Sequence, residues 1–217
     1  MNEYLLIDTE TTGLDPHEAA VLEIGARVLD IKDTNIVLRP DTPPFHALVR
    51  PFEGASIHPA ALKVNNHYWA KEPEDPGYKM AKPIEEAWAA LMAYLMEHYE
   101  KPSWIIPVGW NVGFDEAFLK HAMYERINRP GRAQSVLETA ERWPFHYHKL
   151  DLLTICRYIH IKQGRVRDGA PRIAYKLETM VEHCFSKLGE FAMHTALGDA
   201  EMSLEVLHAV ERGDDSG

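Results

Sequence analysis

From Tyr4 to Asp8 the chain is almost wholly apolar and then turns to acids and threonines, the pattern of a strand covered on both faces. Val21 to Ile31 and His46 to Phe52 read as two more strands. The turn material between them, including Asp41 to Pro44, is short enough to favour antiparallel pairing. His58 to Val64 predicts a short helix, and Glu72 to Gly77, with two prolines, a glycine and three acids, predicts a loop. Ile84, Trp88, Leu91, Leu95 and Tyr99 recur every three or four residues and form one buried helical stripe. Ser103 to Val108 reads as a fourth strand and Val112 to Arg126 as a helix with Asn111 as its N-cap. A short strand is expected before Lys149, then a helix from Leu152 capped by Asp151, and helices over Tyr175 to Phe185 and Ala196 to Val210. Three successive strands followed by alternating helices and strands predict an α/β domain with a mixed five-stranded sheet flanked by helices.

Composition narrows the class without changing that picture. The chain has 217 residues, 46% hydrophobic and 26% charged, which excludes disordered, collagen-like and disulfide-stapled classes. Its longest apolar run, Ala87 to Met96, is half of the roughly 20 residues a membrane-spanning helix needs. Met1, Asn2 and Glu3 run straight into the first strand with no basic, apolar leader, so the expected compartment is the cytoplasm. Cys156 and Cys184 lack metal-ligand spacing and are expected to be small buried residues. The net charge of −10 argues against a simple electrostatic nucleic-acid binder, yet residues 120 to 176 hold 12 basic and 5 acidic residues. Arg126, Arg129, Arg132, Lys162, Arg165, Arg167, Arg172 and Lys176 in that region are either solvated surface or a track for phosphates.

The candidate chemistry begins where the first strand ends. Asp8 and Glu10, two positions apart, share a face while Thr9 points to the other. Two carboxylates on a buried strand repel each other and lose solvation, a cost relieved by proton sharing or by a bound cation. A strand that simply ends in solvated acids is the plain alternative, and Asp199-Ala200-Glu201 repeats the spacing. Asp115, in Gly109-Trp110-Asn111-Val112-Gly113-Phe114-Asp115, falls in a first helical turn after a strand. The helix dipole favours a negative charge there, and α/β sheets hold ligands at that edge. In His194-Thr195-Ala196-Leu197-Gly198-Asp199, five helical residues would turn about 500° and separate the histidine from the aspartate. With Thr195 as N-cap, His194 lies in the preceding loop and reaches the face Asp199 occupies. Taken alone it is one of 12 histidines and an ordinary loop residue.

Together, and in this order, IDTETTGL, NVGFD and HTALGDA resemble the three motifs of the DEDDh family, the DnaQ-like 3′–5′ exonucleases with a ribonuclease H-like fold. A longer similarity, to the ribonuclease T branch of that family, covers nearly the whole chain. It runs through FHALVRPFEGASIHPAALKVN and WPFHYHKLDLLTICR, and it departs at Trp110, where many relatives carry His, and at Val64, where the branch carries an aromatic residue. The resemblance implies a single exonuclease domain over residues 1–211 with 212–217 as a flexible tail. It implies two Mg²⁺ ions, replaceable by Mn²⁺, held by Asp8, Glu10, Asp115 and Asp199, with His194 as general base. It places Thr11, Leu14, Asn111 and Phe145 against the substrate, Leu14 as a wedge at the last base. Phe145 and Phe114 offer stacking surface or are core, and core is the reading for Phe114. The implied partners are 3′ ends of single-stranded RNA or DNA, RNA slightly favoured, cut to 5′-mononucleotides, with a homodimer as the implied assembly. Two other classes remain open: a non-catalytic partner that binds nucleic-acid ends, and a small-molecule phosphatase using the same metals.

Overall fold

The apolar run at the amino end forms β1 (Glu3–Thr11), and it is covered on both faces because it lies mid-sheet. It pairs antiparallel with β2 (Val21–Lys32) and parallel with β5 (Ile105–Gly109), and β5 pairs in parallel with the two-residue β6 (Leu150–Asp151). β3 (Asn35–Leu38) and β4 (Phe45–Leu48) share the outer edge of β2, β3 against Leu29–Lys32 and β4 against Glu23–Ala26. The architecture comes from a computed structural model that describes residues 3–33, 35–101, 104–124, 143–166, 174–185 and 194–213.

The sheet therefore has six strands, one more than the pattern predicts. β3 is a four-residue edge strand whose Ile36, Val37 and Leu38 run together with no alternation and are all half-buried, so it carries no period-two signal. The expected strand at His46 to Phe52 stops at Leu48, since Pro51 has no N–H to offer a ladder. The short strand expected before Lys149 falls after it: Phe145 makes an isolated bridge to Ile105, residues 146–149 loop out, and pairing resumes at Leu150. The loop at Glu72 to Gly77 ends sooner than expected, because the Asp75 carboxylate accepts from Gly77 N at 2.7 Å and caps α2 (Pro76–Met80).

Helices cover both faces. α3 (Ile84–His98) buries Ile84, Trp88, Leu91 and Leu95 with Leu5 and Ile7 of β1, and α4 (Gly113–Ala122) joins the same cluster. α5 (Leu152–Lys162), α6 (Leu177–Cys184) and α7 (Ala196–Arg212) pack on the opposite face with Leu6 and Val108. Cys156 is buried there as expected, whereas Cys184 is only half-buried, packed against the cluster. By the same alternation Asp8 and Glu10 emerge on the α7 side of β1, and Thr9 on the α4 side. α1 (Pro59–Asn65) and a 3₁₀ turn at Tyr68–Lys71 lie beside a small third cluster of Leu22, Leu62 and Ala70. Among the described residues no helix is long and apolar enough to cross a membrane. Arg126, Arg129, Arg132, Arg167 and Arg172 of the basic stretch, and residues 214–217 of the expected tail, lie outside the described residues.

Candidate active site

Register fixes what meets at the carboxyl end of β1. Asp8 lies opposite Gly25 and Glu10 opposite Glu23 on β2. Gly25 matters because the first turn of α7 rests directly on it: a Cβ at residue 25 would stand 2.3 Å from Leu197 N and 2.5 Å from Ala196 C, both backbone atoms. Thr195 caps α7 by accepting from Gly198 N at 3.1 Å, which leaves Asp199 in the first turn facing the strand. One carboxylate oxygen from each of Asp8, Glu10 and Asp199 lies within 4.8 Å of the other two. At that separation a pair of unit charges repels by about 1 kcal/mol in water and roughly 3 kcal/mol at the effective dielectric of a partly buried site.

The electrostatics follow. Burial, then the neighbouring Asp115, Asp199 and Glu10, pushes the Asp8 carboxyl well above the usual range. Burial with Asp199 and Glu23 pushes Glu10 up to about 8, against a hydrogen bond from Asn65. Burial also raises Asp199, although His194 N donates to its Oδ1 at 2.9 Å. Other buried acids of this fold behave differently. Glu116 would rise on burial, but Lys120 at 2.6 Å and Lys149 at 2.8 Å hold it below its ordinary value. Glu23 is likewise held down at about 2 by His46 and His67, which outweigh its burial. The fold holds those acids with its own cations and donors, whereas the Asp8, Glu10 and Asp199 group, despite the bonds from Asn65 and His194, has no cation partner among the described residues. Its all-oxygen donor set suits a hard divalent cation.

Asp115 comes from α4, on the other side of β1. Its Oδ1 accepts from both Thr9 N at 2.8 Å and Thr9 Oγ1 at 2.7 Å, and it is 2% exposed. Burial raises it to about 7 despite those two bonds. It is the largest charged neighbour acting on Asp8, yet it is not one of the three whose oxygens converge within 4.8 Å. α4 itself starts at Gly113, one residue later than expected. Asn111 is not its N-cap: it sits at φ 58°, where asparagine is better tolerated than most residues, and its N–H is held by Asp151 Oδ1 at 3.0 Å. Gly109, the last residue of β5, approaches Ile7 O so closely that a Cβ would meet it at 2.6 Å, and Asn111 turns the chain two residues later. Asn111 remains exposed. Asp151 caps α5 as expected, accepting from Leu153 N.

His194 is also left-handed, at φ 68°, an uncommon place for a side chain with a Cβ. It lies in the loop before α7, with a third of its side chain exposed and its Nδ1 3.7 Å from Glu178 Oε1. Leu14 is 84% exposed just beyond the acids. The turn that carries it is tied down by Thr12, whose N–H donates to Ala20 O and whose carbonyl accepts from His58 N, both at 2.8 Å. Two expected contacts are placed otherwise. Thr11 is buried and its hydroxyl donates to Gly13 O at 2.7 Å, so it builds the turn. Phe145 is 5% exposed, its ring 5.1 Å from Trp143 inside the first core cluster, so it packs rather than offering a stacking face. Phe114 is half-buried on Phe118. The exposed aromatic of that segment is Tyr147, 79% accessible and in ring contact with His146 and His148; its neighbours gave it no apolar stripe to stand out from. Sequence reasoning also missed Glu23 with His46 and His67. The signal was an acid inside the apolar run Val21–Leu29, which a covered strand holds only when paired.

The chain matches the RNase T exonuclease family over residues 5–207. It is 30% identical over 169 residues to a ribonuclease T of Actinobacillus pleuropneumoniae serotype 5b, a stretch covering 72% of this chain and 71% of that protein. To a ribonuclease T of Histophilus somni it is 27% identical over 208 residues, 89% of this chain and 88% of that protein. Among solved structures, E. coli exonuclease I in complex with a 5cy-dA13 oligonucleotide superposes with a TM-score of 0.65 at 18% identity. That superposition covers 98% of this chain but 41% of exonuclease I, and it shows a shared fold.

Proposed function

This chain belongs to the RNase T exonuclease family and is a 3′–5′ exonuclease, and we propose that it trims single-stranded 3′ ends to 5′-mononucleotides, RNA somewhat ahead of DNA. The observation that carries the reading is the convergent carboxylate group of Asp8, Glu10 and Asp199, which has no cation partner among the described residues, whereas buried Glu116 and Glu23 are held by lysines and histidines. Those three would hold one Mg²⁺ or Mn²⁺, and Asp115, reaching the end of β1 from α4, would help to hold a second. When bound, such cations stabilise charge on the scissile phosphate and on the attacking and leaving oxygens.

The chain's own groups do the rest. His194 accepts the proton of the attacking water. Glu178 on the Nδ1 side favours the Nδ1–H tautomer and leaves Nε2 as the base. Leu14, projecting from a fixed turn, wedges against the terminal base, and Tyr147 and Asn111 are the exposed groups available to the nucleotides beside it. The basic stretch from residue 120 to 176 tracks the backbone and offsets the negative remainder of the molecule. We assign the activity to one domain over residues 1–211, working as a homodimer in the cytoplasm.

The test incubates the purified protein with 3′-blocked and unblocked RNA and DNA oligomers, with Mg²⁺ and with chelator. Unblocked single strands should shorten from the 3′ end only when the metal is present. Cleavage of blocked ends, or activity that survives chelation, refutes the proposal.

A further inference from the structure

Building on the metal-binding reading of the acidic group, we propose that Glu23 is a positioning residue: it tethers the first residue of α7 to the sheet and so sets where Asp199 stands against Asp8 and Glu10. Glu23 is 1% exposed on β2, opposite Glu10. Its Oε1 accepts from Ala196 N at 3.2 Å and from His46 Nε2 at 2.8 Å, and its Oε2 accepts from His67 Nε2 at 2.6 Å. Ala196 opens α7, where a backbone N–H has no partner inside its own helix, and an anion there is also favoured by the helix dipole. Three residues on, Asp199 turns toward the strand. Gly25 clears the space into which the 196–197 backbone settles, and Glu23 holds it there.

Glu23 is itself pinned from two directions. His46 reaches it from β4, where it pairs with Gly25. His67 reaches it from the segment after α1, and its N–H donates to Asn65 Oδ1 at 3.1 Å. The Asn65 amide donates in turn to Thr11 O at 3.1 Å. One chain of bonds therefore runs from the turn that carries Leu14, through Asn65, His67 and Glu23, to the start of α7. Groups that orient metal ligands without touching the metal commonly cost 10- to 100-fold in affinity when removed.

The experiment compares Glu23→Ala and Glu23→Gln with the parent protein. Mn²⁺ affinity is measured by electron paramagnetic resonance, and hydrogen exchange of residues 194–199 is followed without metal, at a temperature where circular dichroism shows every variant folded. Glu23→Ala should bind Mn²⁺ about 10- to 100-fold more weakly and exchange faster at the start of α7. Glu23→Gln keeps a carbonyl oxygen for Ala196 N and turns its amide toward His67, so it should stay close to the parent in both readouts. Parent-like affinity in a folded Glu23→Ala protein overturns the proposal. So does a Glu23→Gln protein as weak as Glu23→Ala, because the charge and not the tether would then be responsible. If Glu23→Ala does not fold, Ala196→Pro removes the tethered N–H at the first helical position, which suits proline, and sets a ring carbon in its place against Glu23; parent-like Mn²⁺ affinity there overturns the proposal as well. A parent protein that binds Mn²⁺ and shows these differences, yet shortens no nucleic acid, would overturn the proposed function and leave the tether standing.

Discussion

Gly25→Ala adds one methyl group at the point where α7 lies on the sheet. Its Cβ would stand 2.3 Å from Leu197 N, 2.5 Å from Ala196 C and 2.6 Å from Leu197 Cα, whereas ordinary contact begins at 3.4 Å. All three are backbone atoms, so no side chain can turn aside and the start of α7 must withdraw by about 1 Å. Asp199 travels with it, away from Asp8 and Glu10. A cation such as Mg²⁺, which demands near-ideal geometry, tolerates little of that movement. A misplacement of about 1 Å in a catalytic constellation costs on the order of 100-fold in rate. Overpacking of this kind costs roughly 1–3 kcal/mol of stability, and in a chain this long each kcal/mol lowers Tm by about 2–4 °C. The variant should therefore fold, melt a few degrees early and lose about 100-fold in kcat/KM. The assay follows release of 5′-mononucleotide from a labelled single strand beside thermal unfolding by circular dichroism. A folded Gly25→Ala protein with parent-like kcat/KM would refute the claim that this contact sets the position of Asp199.

Asp8→Ala should abolish turnover, since it removes the carboxylate at the centre of the acidic group; measurable multiple turnover with Mg²⁺ would refute its role. His194→Ala should slow hydrolysis by about 100-fold or more while leaving Mn²⁺ affinity close to the parent value, and an unchanged rate would remove His194 as base. Burial raises Glu10 to about 8 and Asp115 to about 7, so both acids keep protons in the metal-free fold that the unfolded chain has already released above their ordinary values of 4.5 and 3.8. Their contribution is complete below those ordinary values and is lost as pH climbs through 7 and 8, at about 1.4 kcal/mol per pH unit for each proton; Tm in chelator should fall from pH 5 to 8 and recover with Mg²⁺, and a pH-independent Tm would refute the shifts. Leu14→Ala should raise KM for a single strand without lowering Mn²⁺ affinity, and an unchanged KM would free Leu14 from substrate contact.

What was legible in the sequence was whatever local rules determine. Period two placed Asp8 and Glu10 on one face, and N-cap chemistry at Thr195 put His194 in a loop and Asp199 in a first turn. Less legible were features that depend on distant partners. Nothing near Glu23 says that His46 and His67, 23 and 44 residues away, converge on it. Asparagine favours both caps and left-handed turns, so its type alone does not separate the two at Asn111, where the N–H is held by Asp151, 40 residues away, in the turn. Phe145 and Tyr147 share a short aromatic stretch, and the bridge from Phe145 to Ile105 decides which of them faces inward.

Several departures from local preference gather at one place. At the carboxyl end of β1 the chain puts two acids on a covered strand, holds His194 at a left-handed φ where a glycine would be easier, and projects Leu14 into solvent. Each costs stability by itself: a left-handed residue with a Cβ on the order of 1 kcal/mol, and each pair of close buried charges more. Elsewhere Asp75, Asp151 and Thr195 cap helices and Glu116 is set between two lysines, and the departures, Asp33 and Asn66 at positive φ and the unpartnered buried Arg50 Nε and Trp143 Nε1, lie apart from one another. Violations clustered at this edge, beside acids that accept bonds from Thr9 and His194 yet have no cation partner among the described residues, mark the edge where a ligand completes the structure. On that argument bound divalent metal should stabilise this edge more than any other part of the molecule. Hydrogen exchange in residues 5–11 and 194–199 should slow on adding Mg²⁺ while the α3 peptides stay unchanged, and uniform slowing across the chain would count against a site confined to the end of β1.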